Sequence, residues 1–148
     1  METINHEYYV SLEVAKLLKE AGFDWKCMCY YTLINPKVHT PNNGVIAFMK
    51  KYEELFKNHN ETKLLPIYSA PTLDVAQRWL REVKDIYTMV FKDFATINGW
   101  HYFVVKKEDW ESGNESNFYQ QESNHHTYEE AQETGIKKAL EIILEKGE

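Results

Sequence analysis

The chain has 148 residues, 43% of them hydrophobic and 14% aromatic, with a formal net charge of −6 and two cysteines. That is enough apolar material for an ordinary folded core, and it excludes both a disordered chain and a small disulfide scaffold. The acidic balance, with arginine only at Arg78 and Arg81, argues against duplex nucleic acid, whose phosphates need clustered cations.

The opening stretch METINHEYYV has no basic start followed by an apolar run, so no signal peptide is expected. Apolar runs are too short for a membrane span. Cys27 and Cys29, two apart on a strand, do not form a relaxed disulfide, and a reducing, cytoplasmic setting is expected.

Ser11 opens the first predicted helix. Leu12, Val14, Ala15, Leu17 and Leu18 follow at helical spacing, Glu13 sits in the first turn, and Gly22 is the stop. Residues 25–33 are rich in strand formers, with Trp25, Cys27, Cys29 and Tyr31 on one face and Met28 and Tyr30 on the other. The stretch INPKVHTPNNG reads as a loop. A second helix is predicted over 45–57, where Val45, Phe48, Met49, Tyr52, Leu55 and Phe56 recur at steps of three and four.

Pro71 and Thr72 introduce a third helix, with Leu73, Ala76, Trp79, Leu80 and Val83 as its buried stripe. A strand is predicted from Ile86 to Phe91, a tight turn at Asn98-Gly99, and a returning strand over 100–105. Both faces of that returning strand are apolar or aromatic, which predicts a central position. KKEDWESGNESN reads as a polar loop, and FYQQ as a short edge strand. Thr127 and Glu130 fit a capping box that starts the last helix, which is expected to bury Ala131, Ile136, Ala139, Leu140, Ile143 and Leu144.

Residues 68–91 echo residues 8–31. With Ser11 set against Thr72, Leu12 meets Leu73, Val14 meets Val75, Ala15 meets Ala76, and Asp24 meets Asp85. One reading is a duplicated helix–strand unit with the same helix-to-strand interval. The other is shared helix-start grammar, which TYEEAQ also obeys.

The segment 68–144 carries Ala70-Pro71-Thr72-Leu73, Ala76-Gln77, Trp79-Leu80-Arg81-Glu82 and, in its last helix, Thr127 to Glu141. On these residues it resembles a group of small, uncharacterised phage and prophage proteins, and is similar to the phage ABA sandwich domain, in which two helices cover a small antiparallel sheet. The resemblance implies a mobile-element origin and a bacterial host cytoplasm. It carries no catalytic residues.

Chemistry-bearing residues are few. Cys27 and Cys29 offer two thiolates, but structural zinc wants four ligands, and the adjacent His125 and His126 point in different directions. A cysteine nucleophile would need a histidine base, for which His101 in the hairpin strand is the candidate. Asp24 and Asp85 read as loop residues bonded to local backbone before they read as an acid–base pair. The chain has no phosphate-cradling glycine loop, no nucleophile elbow and no zinc-helix motif. Trp25, Tyr30, Tyr87, Trp100, Tyr102 and Trp110 are candidates for core, for a protein-contact surface, or for a platform that stacks single-stranded bases.

These readings combine into an α+β fold. A small antiparallel sheet centred on a hairpin at 86–105 makes an αββα sandwich-like core, with the helices starting at Thr72 and Thr127 on one face. Residues 1–66 form a helix–strand–helix unit and residues 67–148 the sandwich-like unit, packed as one body, with the strand at 25–33 extending the sheet. The function expected is a non-enzymatic accessory role through protein contacts or self-association, without cofactor or membrane. The alternatives are a small enzyme using Cys27, Cys29 and His101, and a single-strand nucleic-acid binder.

Overall fold

The computed structural model describes residues 8–32, 45–47, 56–61, 66–93, 99–120 and 125–146, and the chain divides into two units, Met1–Thr72 and Leu73–Glu148. Helices and antiparallel strands alternate in both, as an α+β fold requires.

In the first unit, α1 spans Leu12–Glu20. Ser11 starts it, its Oγ accepting from the Val14 amide at 3.3 Å. Gly22 ends it at φ +93°. The Gly22 amide donates to the Lys19 carbonyl at 3.1 Å and the Phe23 amide to the Leu18 carbonyl at 2.9 Å, a Schellman motif with Phe23 buried beside it. The left-handed conformation at position 22 is why glycine ends the helix there. Leu12, Val14, Ala15 and Leu18 form the buried stripe.

Strand β1 (Tyr30–Thr32) lies between β2 (Val45–Ala47) and β3 (Ile67–Ser69), antiparallel to both. The predicted helix over 45–57 is therefore corrected at its two ends: Val45–Ala47 is a strand, and Lys57 is bridged to Cys27. Residues 48–55 lie outside the described residues. At Val45–Ala47 strand pairing, which tertiary contacts decide, replaces the expected first turn. A short 3₁₀ turn at His59–Glu61 precedes β3. Two further expectations change. Of the strand expected over 25–33, the described strand is Tyr30–Thr32, with Cys27 in an isolated bridge, and it pairs within its own three-stranded sheet; β3, on the far side of the expected boundary at residue 66, pairs with β1 in the first unit.

The second unit opens with α2 (Leu73–Val83), which buries Leu73, Ala76, Trp79 and Leu80. Val83, expected in that stripe, is 47% exposed in the last turn. Strand β4 (Ile86–Lys92) follows at once. In the earlier copy α1 ends at Glu20 and β1 begins only at Tyr30, so the two helix-to-strand intervals differ. That leaves the shared helix-start grammar as the part of the echo with structural content.

Strand β5 (Trp100–Lys106) pairs with β4 along its whole length, from Ile86 opposite Lys106 to Lys92 opposite Trp100. The Asp93 amide then donates to the Gly99 carbonyl. This register places the hairpin connection between Asp93 and Gly99, so Gly99 is a strand-end residue and not half of a two-residue turn; Asn98 lies outside the described residues. Strand β6 (Tyr119–Gln120) adds to the other edge of β5, which makes β5 central, as its doubly apolar sequence predicts.

Between β5 and β6 the polar stretch expected to be a loop forms a short helix, α3 (Lys107–Ser112), closed by Gly113 at φ +72°. The last helix, α4 (Tyr128–Lys146), begins at the capping Thr127, whose Oγ1 accepts from the Glu130 amide at 3.1 Å. Glu130 Oε2 accepts from the His126 amide at 3.1 Å, so the reciprocal half of the capping box is displaced by one residue.

Helices α2 and α4 pack on one face of the sheet, against Ile86, Thr88 and Val90 of β4 and Tyr102 and Val104 of β5. Small residues every fourth position, Ala131, Gly135 and Ala139, let α4 approach closely, and a Cβ on Gly135 would lie 3.1 Å from Tyr102 Cβ. Ile136 and Leu140 are fully buried, while Ile143 and Leu144, expected in the core, are half-buried. Each fully buried large side chain, such as Trp79 or Leu80, contributes about 1.5–3 kcal/mol by leaving water. A polar chain ties the layers together. Gln132 Nε2 donates to Asp74 Oδ1 (2.7 Å) and Gln77 Oε1 (2.9 Å), and Gln77 Nε2 donates to the Thr88 carbonyl (2.6 Å).

Candidate contact surface

On the sheet face away from α2 and α4, alternation along β4 and β5 presents Tyr87, Met89, Phe91, His101, Phe103 and Val105. Helix α3 lays Trp110 beside them. Trp110 meets Phe103 edge-on at 6.5 Å between centroids and stacks on Phe118 at 6.1 Å. One side of the indole is thereby fixed, yet Trp110 remains 50% exposed and Phe91 39% exposed. Next to Trp110 lies a groove of about 270 Å³ lined by Gln77, Arg81, Tyr87, Thr88 and Met89. Arg78 is held by Glu82 at 2.9 Å, whereas Arg81 has no ion pair among the described residues. The surface thus joins two exposed aromatic side chains, a shallow apolar groove and the Arg81 guanidinium.

Strand β4 is the edge of its sheet, and its outward backbone groups are those of Ile86, Thr88, Val90 and Lys92. The Gln77 amide occupies the outward Thr88 carbonyl in the middle of that edge. Capping one carbonyl this way guards against strand addition, a hazard of long open edges. Contact through side chains is what this face leaves available.

The six aromatic residues singled out in the sequence do not share one surface. Tyr87 and Trp110 line the groove. Tyr102 is 3% exposed and lies on the opposite face, against Gly135, and Trp100 packs edge-on to Tyr128 on that same face. Burial pushes the Tyr102 phenol above the ordinary tyrosine range, and Tyr119 beside it adds to the shift. Trp25 and Tyr30 belong to the first unit, both half-buried, with Tyr30 packed on His59 at 4.6 Å. Met89, Phe91, Phe103, Phe118 and Arg81 complete the surface but were not anticipated. The alternation Tyr87-Met89-Phe91 was the signal available for three of its residues.

Cys27 and Cys29 are buried, 6% and 0% exposed. Burial pushes the Cys27 thiol up to about 11, partly offset by the Ser69 hydroxyl and the Ala70 backbone. Cys29 is raised for the same leading reason, with Tyr9 beside it as a partial offset. Thiols kept protonated at neutral pH are poor nucleophiles and poor metal ligands. The histidine near them is His59, missed in the sequence. It is 2% exposed, and its Nε2 faces the Cys27 carbonyl at 3.0 Å. Asn60 completes a structural brace, donating to the Phe23 carbonyl at 2.9 Å and accepting from the Ser69 amide at 2.8 Å.

His101, the base proposed from sequence, lies in the second unit, stacked on Phe91 at 5.4 Å. Its Nε2 is 3.7 Å from Asp93 Oδ2, and neither ring nitrogen has a hydrogen-bond partner among the described residues. His125 bridges to Trp100, and burial lowers its pKa, while His126 is exposed. Asp24 and Asp85 are both exposed, one in each unit, and Asp85 has a positive φ of 53°. Among the described residues no group of three or more His, Cys, Asp or Glu side chains is placed to hold a metal ion. No described helix is long and apolar enough to cross a membrane.

No family model matches the chain, and no curated protein or solved structure is found to be similar to it. The functional argument therefore rests on the geometry above.

Proposed function

We propose that the chain acts through protein contacts, using the Trp110–Phe91 surface, and that the first partner is a second copy of itself. The observation that carries this reading is the half-exposed Trp110 beside the groove of Tyr87, Met89 and Arg81. Tryptophan, tyrosine, phenylalanine, methionine and arginine are the residues enriched where proteins meet, and an aromatic side chain seated in a pocket carries most of the binding energy. A projecting indole and a concavity on one surface suit a two-fold interface, because the rotation sets each projection against the other copy's hollow. The phage-type accessory role expected from the sequence is compatible with such a module and forms part of the proposal.

Sedimentation analysis over a range of concentrations tests it. The wild-type chain is expected to dimerise, and Trp110→Ala to weaken dimerisation about thirtyfold, the effect of losing about 2 kcal/mol at an anchor. Circular dichroism of the variant should stay native. A chain that remains monomeric up to its solubility limit, or a dimer indifferent to Trp110→Ala and Met89→Asp, overturns the reading.

A further inference from the structure

A second concavity lies within the second unit, where the ends of β4 and β5 meet α3 and the last turns of α4. Its outer chamber is about 480 Å³, within the range of small-molecule sites, and its apolar floor is Ile86, Ile142 and Ile143. An inner chamber of about 270 Å³ shares Ile86, Lys106, Glu108 and Ile142 with it and reaches Asp109 and Asn117.

Charges of both signs surround this space. Lys84, Asp85, Lys106, Lys107, Glu108 and Glu111 line it, and none of them makes an ion pair among the described residues. Lys106 is half-buried. Asp109 is only 8% exposed, and its Oδ1 accepts from Asn117 Nδ2 at 3.0 Å. The inner chamber reaches this carboxylate, so a cationic group bound there can approach it.

We infer that this cavity binds a small apolar zwitterion, an apolar α-amino acid or short apolar peptide with both termini free. The ammonium group would meet Asp109 and Glu108, the carboxylate would meet Lys106 and Lys107, and the side chains would cover the isoleucine floor. A ligand of one charge sign would leave half of these groups unmatched. A ligand with both signs satisfies cations and carboxylates together, and its aliphatic part displaces water from Ile86, Ile142 and Ile143.

Titration of the full chain, labelled at isoleucine methyl groups, with leucine, Leu-Leu and Leu-Leu-Leu provides the test. Saturable shifts at Ile142 and Ile143 are expected with at least one of the three probes, and the tightest identifies whether the source is an amino acid or a peptide. N-acetylated and C-amidated forms of that probe should each bind at least tenfold more weakly, as should the wild-type probe to Lys106→Gln. Absence of saturable shifts with all three, or equal binding of the blocked forms, overturns the inference. The wild-type titration does not depend on any variant folding, and Trp110→Ala should bind the probe as wild type does, which separates this site from the contact surface.

Discussion

Replacing Gly135 by alanine sets two opposing effects against each other at a close approach of α4 to β5. Alanine is favoured over glycine in a helix interior by about 0.8–1 kcal/mol. The new Cβ, however, would lie 3.1 Å from Tyr102 Cβ, 3.3 Å from Cγ and 3.4 Å from Cδ2. Carbon atoms rest at about 3.5–4.0 Å, so the contact is repulsive. The atom that must yield is bonded directly to the backbone of β5, which is held by β4 on one side and β6 on the other. It cannot swing away as a side-chain tip would. Overpacking of this kind costs about 1–3 kcal/mol, so the net effect is a destabilisation of about 1 kcal/mol. Urea unfolding followed by far-UV circular dichroism should show a lower midpoint with an unchanged slope. Thr134→Ala is the control: it gains helix propensity at an exposed position next door and should be neutral or slightly stabilising. A Gly135→Ala midpoint raised alongside the control would refute the close packing of α4 on β5.

Three other outcomes follow from the same structure. Thr127→Ala removes the hydroxyl that accepts from the Glu130 amide and should cost about 0.5–2 kcal/mol in unfolding free energy, measured in urea. The Cys27 thiol rises from 9.0 to about 11 on burial, so its contribution of about 2–3 kcal/mol is complete below pH 9 and lost as pH rises through 11. Stability–pH curves of wild type and Cys27→Ala should therefore converge across that interval, and parallel curves would contradict it. Asp85 sits at φ 53°, where a β-branched side chain is strained; Asp85→Val should cost about 1–2 kcal/mol and Asp85→Gly little or nothing, read from thermal midpoints.

What was legible from sequence alone was local. Ser11, Gly22 and Thr127 mark helix ends because capping is an exchange of hydrogen bonds within three or four residues of chain. The alternation of Cys27, Cys29 and Tyr31 with Met28 and Tyr30 separated two sets of residues, and the structure buries the first set and leaves the second half-buried. The same alternation was on display in Tyr87, Met89 and Phe91, yet which face the helices would cover depended on α4.

Tertiary structure decided everything that joins residues far apart. Val45–Ala47, placed by spacing at the start of a helix, pairs with Tyr30–Thr32, because strand preference reflects the neighbour more than the segment itself. The polar run after β5 closes into α3 and so brings Trp110 against Phe103, a meeting that no spacing rule encodes. Tyr102 and Tyr87 were equal candidates as letters; one is sealed against Gly135 and the other lines an open groove. Periodicity and caps are written within one turn of chain, whereas burial is a sum over contacts that exist only once the layers have closed.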